Sequence, residues 1–514
     1  MDCQVVHICD CIPARIRRAL AELPETLDET YERILQGINK ANWEFAHRMF
    51  QFVSVASRPL HVEELADLLA FDFEAGSIPK FQEDWRLEDP VDAVLSTCST
   101  LLSIAKDRGS RVIQFSHFSV KEFLTSARLA EATDIISRSY HVSMTPAHTL
   151  VAQACLGILL HLDKDVTRDS LRDFPLAEYA AEHWVDHSRF EDVSRNVEDG
   201  MKQLFDPRKL HLAICVWICD PAVPRQVRMR RSETLLLLPG TFLHYAASWG
   251  LHSVVEFLII EHSQDVSSRY FADNVTPLHL ASQNGHVEAA CKLIEYGAGL
   301  TAQTNDGSTP LHLALGKGQV NVARMLIERG ADLTVQSEDG STPLHLALQE
   351  GQVNVARMLI EHGTDLTAQN NDGLTLLHLA LYWGQVGVAR MLIERGADLT
   401  AQNNDGWAPL HLALQQGQVD IARMVIEYGA DLAAQGNDSE TPLHLASAPS
   451  LWARISPHKY ADVIHMLLEH GADVNARNKN GLTPYALALQ GGLAEIIHVL
   501  VQHGADSGAH DNAY

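Results

Sequence analysis

Four groups of residues in this 514-residue chain have types and spacings that could do chemistry. His211, Cys215 and Cys219 lie four apart, which sets all three on one helical face as metal ligands would be. Cys9 and Cys11 stand close as well, but neither group has the second ligand pair of a closed zinc site. The His211 group therefore reads as a buried helix, Leu210–Cys219, and no metal is expected. Gly316-Lys317-Gly318 is short of a phosphate-cradling loop: Gly-x4-Gly-Lys-Ser/Thr occurs nowhere. The fourth group is the largest. His279, His312, His345, His378, His411 and His444 recur every 33 residues. So regular a ladder is structural, each imidazole tying a helix start to neighbouring loop backbone. No catalytic serine, cysteine or carboxylate constellation is readable, so neither an enzyme nor a cofactor is expected.

The elements that position these histidines are repeats. Thr276-Pro277-Leu278-His279 returns at Thr309, Thr342, Thr375 (Thr-Leu-Leu-His), Ala408 (Ala-Pro-Leu-His) and Thr441. A degenerate copy precedes at Thr241, and another follows at Thr483 after a nine-residue insertion within Pro449–Lys459. Within one unit, Thr309 caps a short helix and Pro310 takes its first position, where no N–H is missed. Gly318 closes that helix in the left-handed conformation. Val320, Val322, Ala323, Leu326 and Ile327 then form the apolar stripe of an outer helix, which Gly330 ends. Asp339-Gly340 turns the chain into the next unit. A single unit cannot bury its own apolar face, so stability comes from stacking on neighbours. Thr-Pro-Leu-His-x-Ala at this period resembles the ankyrin repeat, which implies a protein-binding concave surface.

Composition narrows the partners. A net charge of −25 excludes a general nucleic-acid binder, which needs a basic face to release counterions. The eight cysteines lack a disulfide rhythm and fit a reducing compartment. The apolar run Leu235–Leu238 is far too short to cross a bilayer, and Met1–Cys11 has no basic n-region. A cytoplasmic protein without a membrane partner is expected. Arg225, Arg228, Arg230 and Arg231 form a short basic cluster that reads as a solvated linker.

Ahead of the repeats, Pro24–Ile38 and Trp43–Val55 read as amphipathic helices, Arg58–Leu69 and Pro90–Ser99 as two more. Leu101–Ala105 and Arg111–Phe115 flank a hairpin turn, and Ser119–Leu129 is a closing helix. Helices, a hairpin and a helix suggest a winged helix. Glu63, Glu64 and Asp67 would repel a DNA groove, so it reads as a packing element. Leu23-Pro24-Glu25-Thr26-Leu27, Ser57-Arg58-Pro59-Leu60 and Phe115-Ser116-His117-Phe118-Ser119 resemble the winged-helix region of fungal NACHT–ankyrin proteins, STAND signalling NTPases related to NLR receptors. Ala152–Leu156 and Pro175–Trp184 resemble the helical connector that those proteins place before their repeats. The resemblance implies that His117 could touch the β-phosphate of a bound nucleotide, if a NACHT module is supplied by a longer product or in trans. The alternative is that His117 caps the following helix.

The fold expected is mainly α: an N-terminal segment 1–22, a winged-helix-like α+β domain 23–130, an α-helical connector 131–235, and an ankyrin solenoid 236–514. Its eight repeats start near 239, 274, 307, 340, 373, 406, 439 and 481. The repeats at 304–402 are close to copies, so their differences stand out. Tyr382-Trp383 replaces Gly316-Lys317 and Gln349-Glu350, while Leu374 and Trp407 replace Ser308 and Ser341. These four are expected to form one exposed concave partner site. By resemblance the function is the ligand-sensing, regulatory half of an NLR-like protein lacking its NTPase. A free-standing ankyrin adaptor or scaffold is the alternative.

Overall fold

The computed structural model describes residues 26–98, 100–107, 109–162, 166–167, 169–190, 192–218, 240–270, 273–448 and 457–506. Cys9, Cys11, Cys219, the arginines at 225–231, Leu451 and Trp452 lie outside the described residues. The chain divides into two compact units, Met1–Leu238 and Pro239–Tyr514.

In the first unit, α1 (Leu27–Gln36) starts where Thr26 Oγ1 accepts the Glu29 N–H at 3.2 Å. α2 spans Trp43–Val55, as the apolar spacing predicts. A short strand β1 (Leu60–His61) precedes α3 (Val62–Leu69), and α4 follows at Pro90–Cys98. Between them β2 (Phe71–Asp72) pairs with β3 (Lys80–Phe81). The wing hairpin is β4 (Leu102–Asp107) with β5 (Ser110–Phe115), and the sheet order is β1-β5-β4, all antiparallel, with Ile113 opposite both Leu60 and Ile104. Helices α2, α3 and α4 on a three-stranded sheet with a terminal hairpin make a winged helix.

The predicted closing helix breaks in two: α5 (Phe118–Leu124) and α6 (Ala127–Ala130). The cause is local. Thr125 Oγ1 donates to the Lys121 carbonyl, while Ser126 Oγ accepts the Leu129 N–H and starts a new turn.

The connector follows as α7 (Ile135–Ser139), α8 (Met144–His161), α9 (Leu176–Ser188), α10 (Val193–Asn196), α11 (Glu198–Leu204) and α12 (His211–Ile218). Winged helix and connector lie within one compact unit. Polar clasps join them. The Ser57 N–H donates to Tyr179 Oη (3.1 Å), and the Arg58 guanidinium lies over the Tyr179 ring at 5.0 Å. Asp67 accepts both Leu176 N–H (3.1 Å) and Arg86 Nε–H (2.9 Å). Gly157 lets α8 reach the β2–β3 hairpin, since a Cβ there would sit 2.7 Å from Phe71 Cε1.

The second unit contains eight helix pairs among the described residues, from Phe242–Ser248 with His252–His262 to Pro484–Gln490 with Ala494–Gln502. Thr309 caps its helix through the His312 N–H, and Gly318 (φ +71°) and Gly330 (φ +83°) take the left-handed conformation expected. One apolar core runs from Leu311 to Leu500 across successive repeats. Stacking therefore supplies the burial that no unit has alone. Arg324, Arg357, Arg390 and Arg423 stand four residues before Glu328, Glu361, Glu394 and Glu427, but none of these pairs is among the described ion pairs. Arg423 reaches instead to Asp462 of the next outer helix, at 2.9 Å. Exposed pairs of this kind hold little energy against side-chain entropy, so a competing carboxylate is enough to redirect one.

Candidate protein-recognition surface

Each repeat histidine has its tautomer set by its partners. The Thr N–H (Ala408 N–H in the sixth repeat) donates to Nδ1 at 3.1–3.2 Å, so Nδ1 carries no proton. Nε2–H then donates to a carbonyl of the following repeat. His279 reaches Ser308 (3.2 Å), His312 Ser341 (3.2 Å), His345 Leu374 (3.3 Å), His378 Trp407 (2.8 Å) and His411 Glu440 (3.2 Å). His444 keeps the same bond to Leu482 across the lengthened repeat. Burial lowers the pKa of every one, with His279 and His378 lowered to about 4. The ladder is structural, and it ties each inner helix to the hairpin that leads into the following repeat.

Two further ladders escaped the sequence reading. Gln352, Gln385 and Gln418 donate Nε2–H to the carbonyls of Leu315, Leu348 and Leu381 in the preceding inner helix. Asn371, Asn404 and Asn437 donate Nδ2–H to Glu338, Asn371 and Asn404 carbonyls at the hairpin tips (2.8–3.0 Å). Their period of 33 was the available signal.

The four residues chosen for the partner site divide two and two. Tyr382 and Trp383 are 54% and 53% exposed, at the end of their inner helix, with ring centroids 5.2 Å apart and planes at 85°. Leu374 and Trp407 are half-buried and pack against the repeat core. The hairpin position they occupy is an inward one: Ser308 and Ser341 are buried there, their hydroxyls bonded to Asp306 and Asp339. Trp407 fits because the next repeat has Gly436, where a Cβ would lie 2.8 Å from the indole Cδ1. Trp407 also stacks near His411 at 6.4 Å. The exposed part of the expected site is thus the Tyr382–Trp383 pair, with Leu374 and Trp407 packed inward. Trp249 holds the position of Trp383 in the first repeat and was also missed; it is half-buried beside Tyr245 (5.8 Å).

In the first unit His117 is the N-cap of α5. Its Nδ1 accepts the Ser119 N–H (3.3 Å) and lies 2.6 Å from Ser119 Oγ, which also bonds Tyr31 Oη (2.7 Å). Phe118 beside it is exposed. On α3, Glu64 and Asp67 are 3% and 2% exposed and paired with Arg58 and Arg86, leaving Glu63 alone of the three carboxylates at the surface. α3 therefore packs inward through the side chains that a groove reader would present. His211 and Cys215 lie on α12, and no cluster of three or more metal-ligating side chains occurs among the described residues. No helix among them is long and apolar enough to cross a membrane.

Comparison with known proteins agrees with this anatomy. Residues 243–337, 332–403 and 396–477 match the ankyrin-repeat family, and residues 31–135 match the winged helix domain of GPI inositol-deacylase type. The chain thus carries ankyrin repeats with a winged-helix domain ahead of them. It is similar to azaphilone pigments biosynthesis cluster protein L of Monascus ruber, 29% identical over 295 residues, covering 54% of this chain. The chain spans 61% of the length of that curated relative. The solved ankyrin repeat domain of Bcl-3, a unique member of the IkappaB protein family, aligns at 30% identity. That alignment covers 45% of this chain and 99% of its own, with a TM-score of 0.37. Ankyrin repeats indicate protein–protein interaction.

Proposed function

We propose that this chain is the ligand-sensing and regulatory portion of an NLR-like signalling protein, acting in the cytoplasm through a protein partner bound at the concave face. The order winged helix, helical connector and repeats supports that reading. So does the exposed Tyr382–Trp383 pair, the observation that carries it, because aromatic anchors of this kind dominate interface energetics. Trp383→Ala is expected to weaken a captured partner about thirtyfold, which is about 2 kcal/mol. Lys317→Ala, at the same position two repeats earlier, should leave affinity unchanged. Folding stability should stay within about 0.5 kcal/mol for both, as for exposed side chains generally. Equal affinity of the Trp383 variant would refute the role of this pair.

The chain itself is not an enzyme in this reading, and His117 meets nucleotide only when a NACHT module is joined to it. The purified chain should show no magnesium-dependent ATP turnover and no nucleotide-induced change in melting temperature. A saturable micromolar ATP signal removed by one substitution would overturn this part.

A further inference from the structure

We propose that the palm around Tyr382 and Trp383 takes a basic, extended segment of a partner protein, one arginine or lysine of which sits on the aromatic pair. This rests on the recognition role given to that pair above. The two rings meet edge to face, which leaves aromatic π-surface open to solvent, and such a surface attracts a cationic side chain within about 6 Å of its centroid.

Charge around the pair favours a cation over an apolar or acidic occupant. At the position of Trp383, the preceding repeat presents the exposed carboxylate Glu350 and the following one the neutral Gln416. Every central hairpin tip carries an exposed carboxylate, at Asp306, Asp339, Asp372, Asp405 and Asp438. Backbone bonds fix these tips in one row: Glu338 N–H to Asp306 O, Asn371 to Asp339, Asn404 to Asp372 and Asn437 to Asp405, all 2.8–3.0 Å. The row has a set register, so a partner chain lying along it meets one carboxylate per repeat. The arginines of these repeats that recur with the same period, Arg324, Arg357, Arg390 and Arg423, stand on the outer helices. They do not neutralise the tips through any described ion pair. Complementary charge at such a surface sets partner choice and association rate, and the aromatic pair supplies the anchor that the carboxylates alone would lack.

The test uses the full chain, immobilised, against a phage-displayed library of random dodecapeptides. Recovered peptides are then synthesised with a fluorescent label and titrated by anisotropy. The expected result is peptides of net positive charge whose affinity falls about tenfold on Trp383→Ala and on Glu350→Lys, and falls further as salt is raised. Arg324→Ala, on an outer helix, is the control and should change nothing. Peptides that depend on Trp383 but are neutral or acidic and indifferent to salt would overturn the basic-segment inference while leaving recognition at the palm intact. Recovery of no peptide whose binding depends on Trp383 would count against both.

Discussion

Lowering the pH from 7.5 to 4.5 is expected to unfold the repeat stack. The cause is the buried histidine ladder. In the folded array each Nδ1 accepts an N–H and each Nε2 donates, so a second proton would both break the Nδ1 bond and charge a desolvated ring. The sign follows from linkage. An unfolded histidine takes a proton near pH 6.5 and the folded ones at lower pH, so the unfolded chain binds more protons in between. This stabilisation is fully present above the unfolded value and is lost as pH falls toward the folded one. For His279 and His378, lowered from 6.5 to about 4, the loss approaches ~3 kcal/mol each. His244, His312, His345, His411 and His444 are lowered as well, chiefly by burial, and act in the same direction. Together they rival the ~5–15 kcal/mol that hold a domain folded. The carboxylates at Asp332, Asp365 and Asp398, held below 3.8 by their Thr N–H bonds, lose their contribution only at lower pH. Urea titrations across this range should show stability falling below pH 6.5, with His378→Gln shallower by about one proton. A flat profile between pH 7.5 and 4.5 would contradict the ladder as drawn.

Asp67→Ala is expected to cost the first unit about 3 kcal/mol, the usual range for breaking a buried, hydrogen-bonded ion pair. The carboxylate is 2% exposed and holds Leu176 N–H at the start of α9 as well as Arg86. Arg86 in turn lies over Phe81 (4.9 Å) and Phe174 (5.4 Å) and donates to the Asp173 carbonyl, so losing Asp67 takes the paired carboxylate from a partly buried cation. Burial outweighs Arg86 and raises the Asp67 pKa above its usual value. A charge held at such a cost fixes how α3 docks on α9 more than it adds net stability. Replacing both partners, Asp67→Leu with Arg86→Met, should therefore cost less than Asp67→Ala alone. The readout is the urea transition of the first unit, with that of the repeats unmoved. Equal losses for the single and double variants would remove the pair from the clasp.

Why the repeats were so legible is a matter of redundancy. Each position has one physical job, such as Thr309 as cap, Pro310 at the first helical position and Gly318 at positive φ, and the chain repeats that job in every unit. The winged helix was readable where amphipathic spacing is long, as in Trp43–Val55. It was misread where hydroxyls at Thr125 and Ser126 compete with the backbone. The clasps around Asp67 and Tyr179 were not readable, because their partners lie about a hundred residues away in sequence. At the candidate surface, comparing near-identical repeats located the variable positions but not their burial. Ser308 and Leu374 share an inward site, and only the paired change to Gly436 told that Trp407 would pack rather than protrude. Tyr382 and Trp383, just past the last buried leucine of their helix, had no partner position to fill.

The most direct measurement is site-specific photo-crosslinking of the intact chain to its bound partner. A benzophenone side chain placed at 383 reports on the palm. The same group at 428, where Tyr428 is also more than half exposed but ends an outer helix, reports on the opposite elements of the stack. Both variants should fold as the parent does, since both side chains are at the surface. Recognition through the concave face predicts an efficient crosslink from 383 and none from 428; a partner captured from 428 and not from 383 would contradict it.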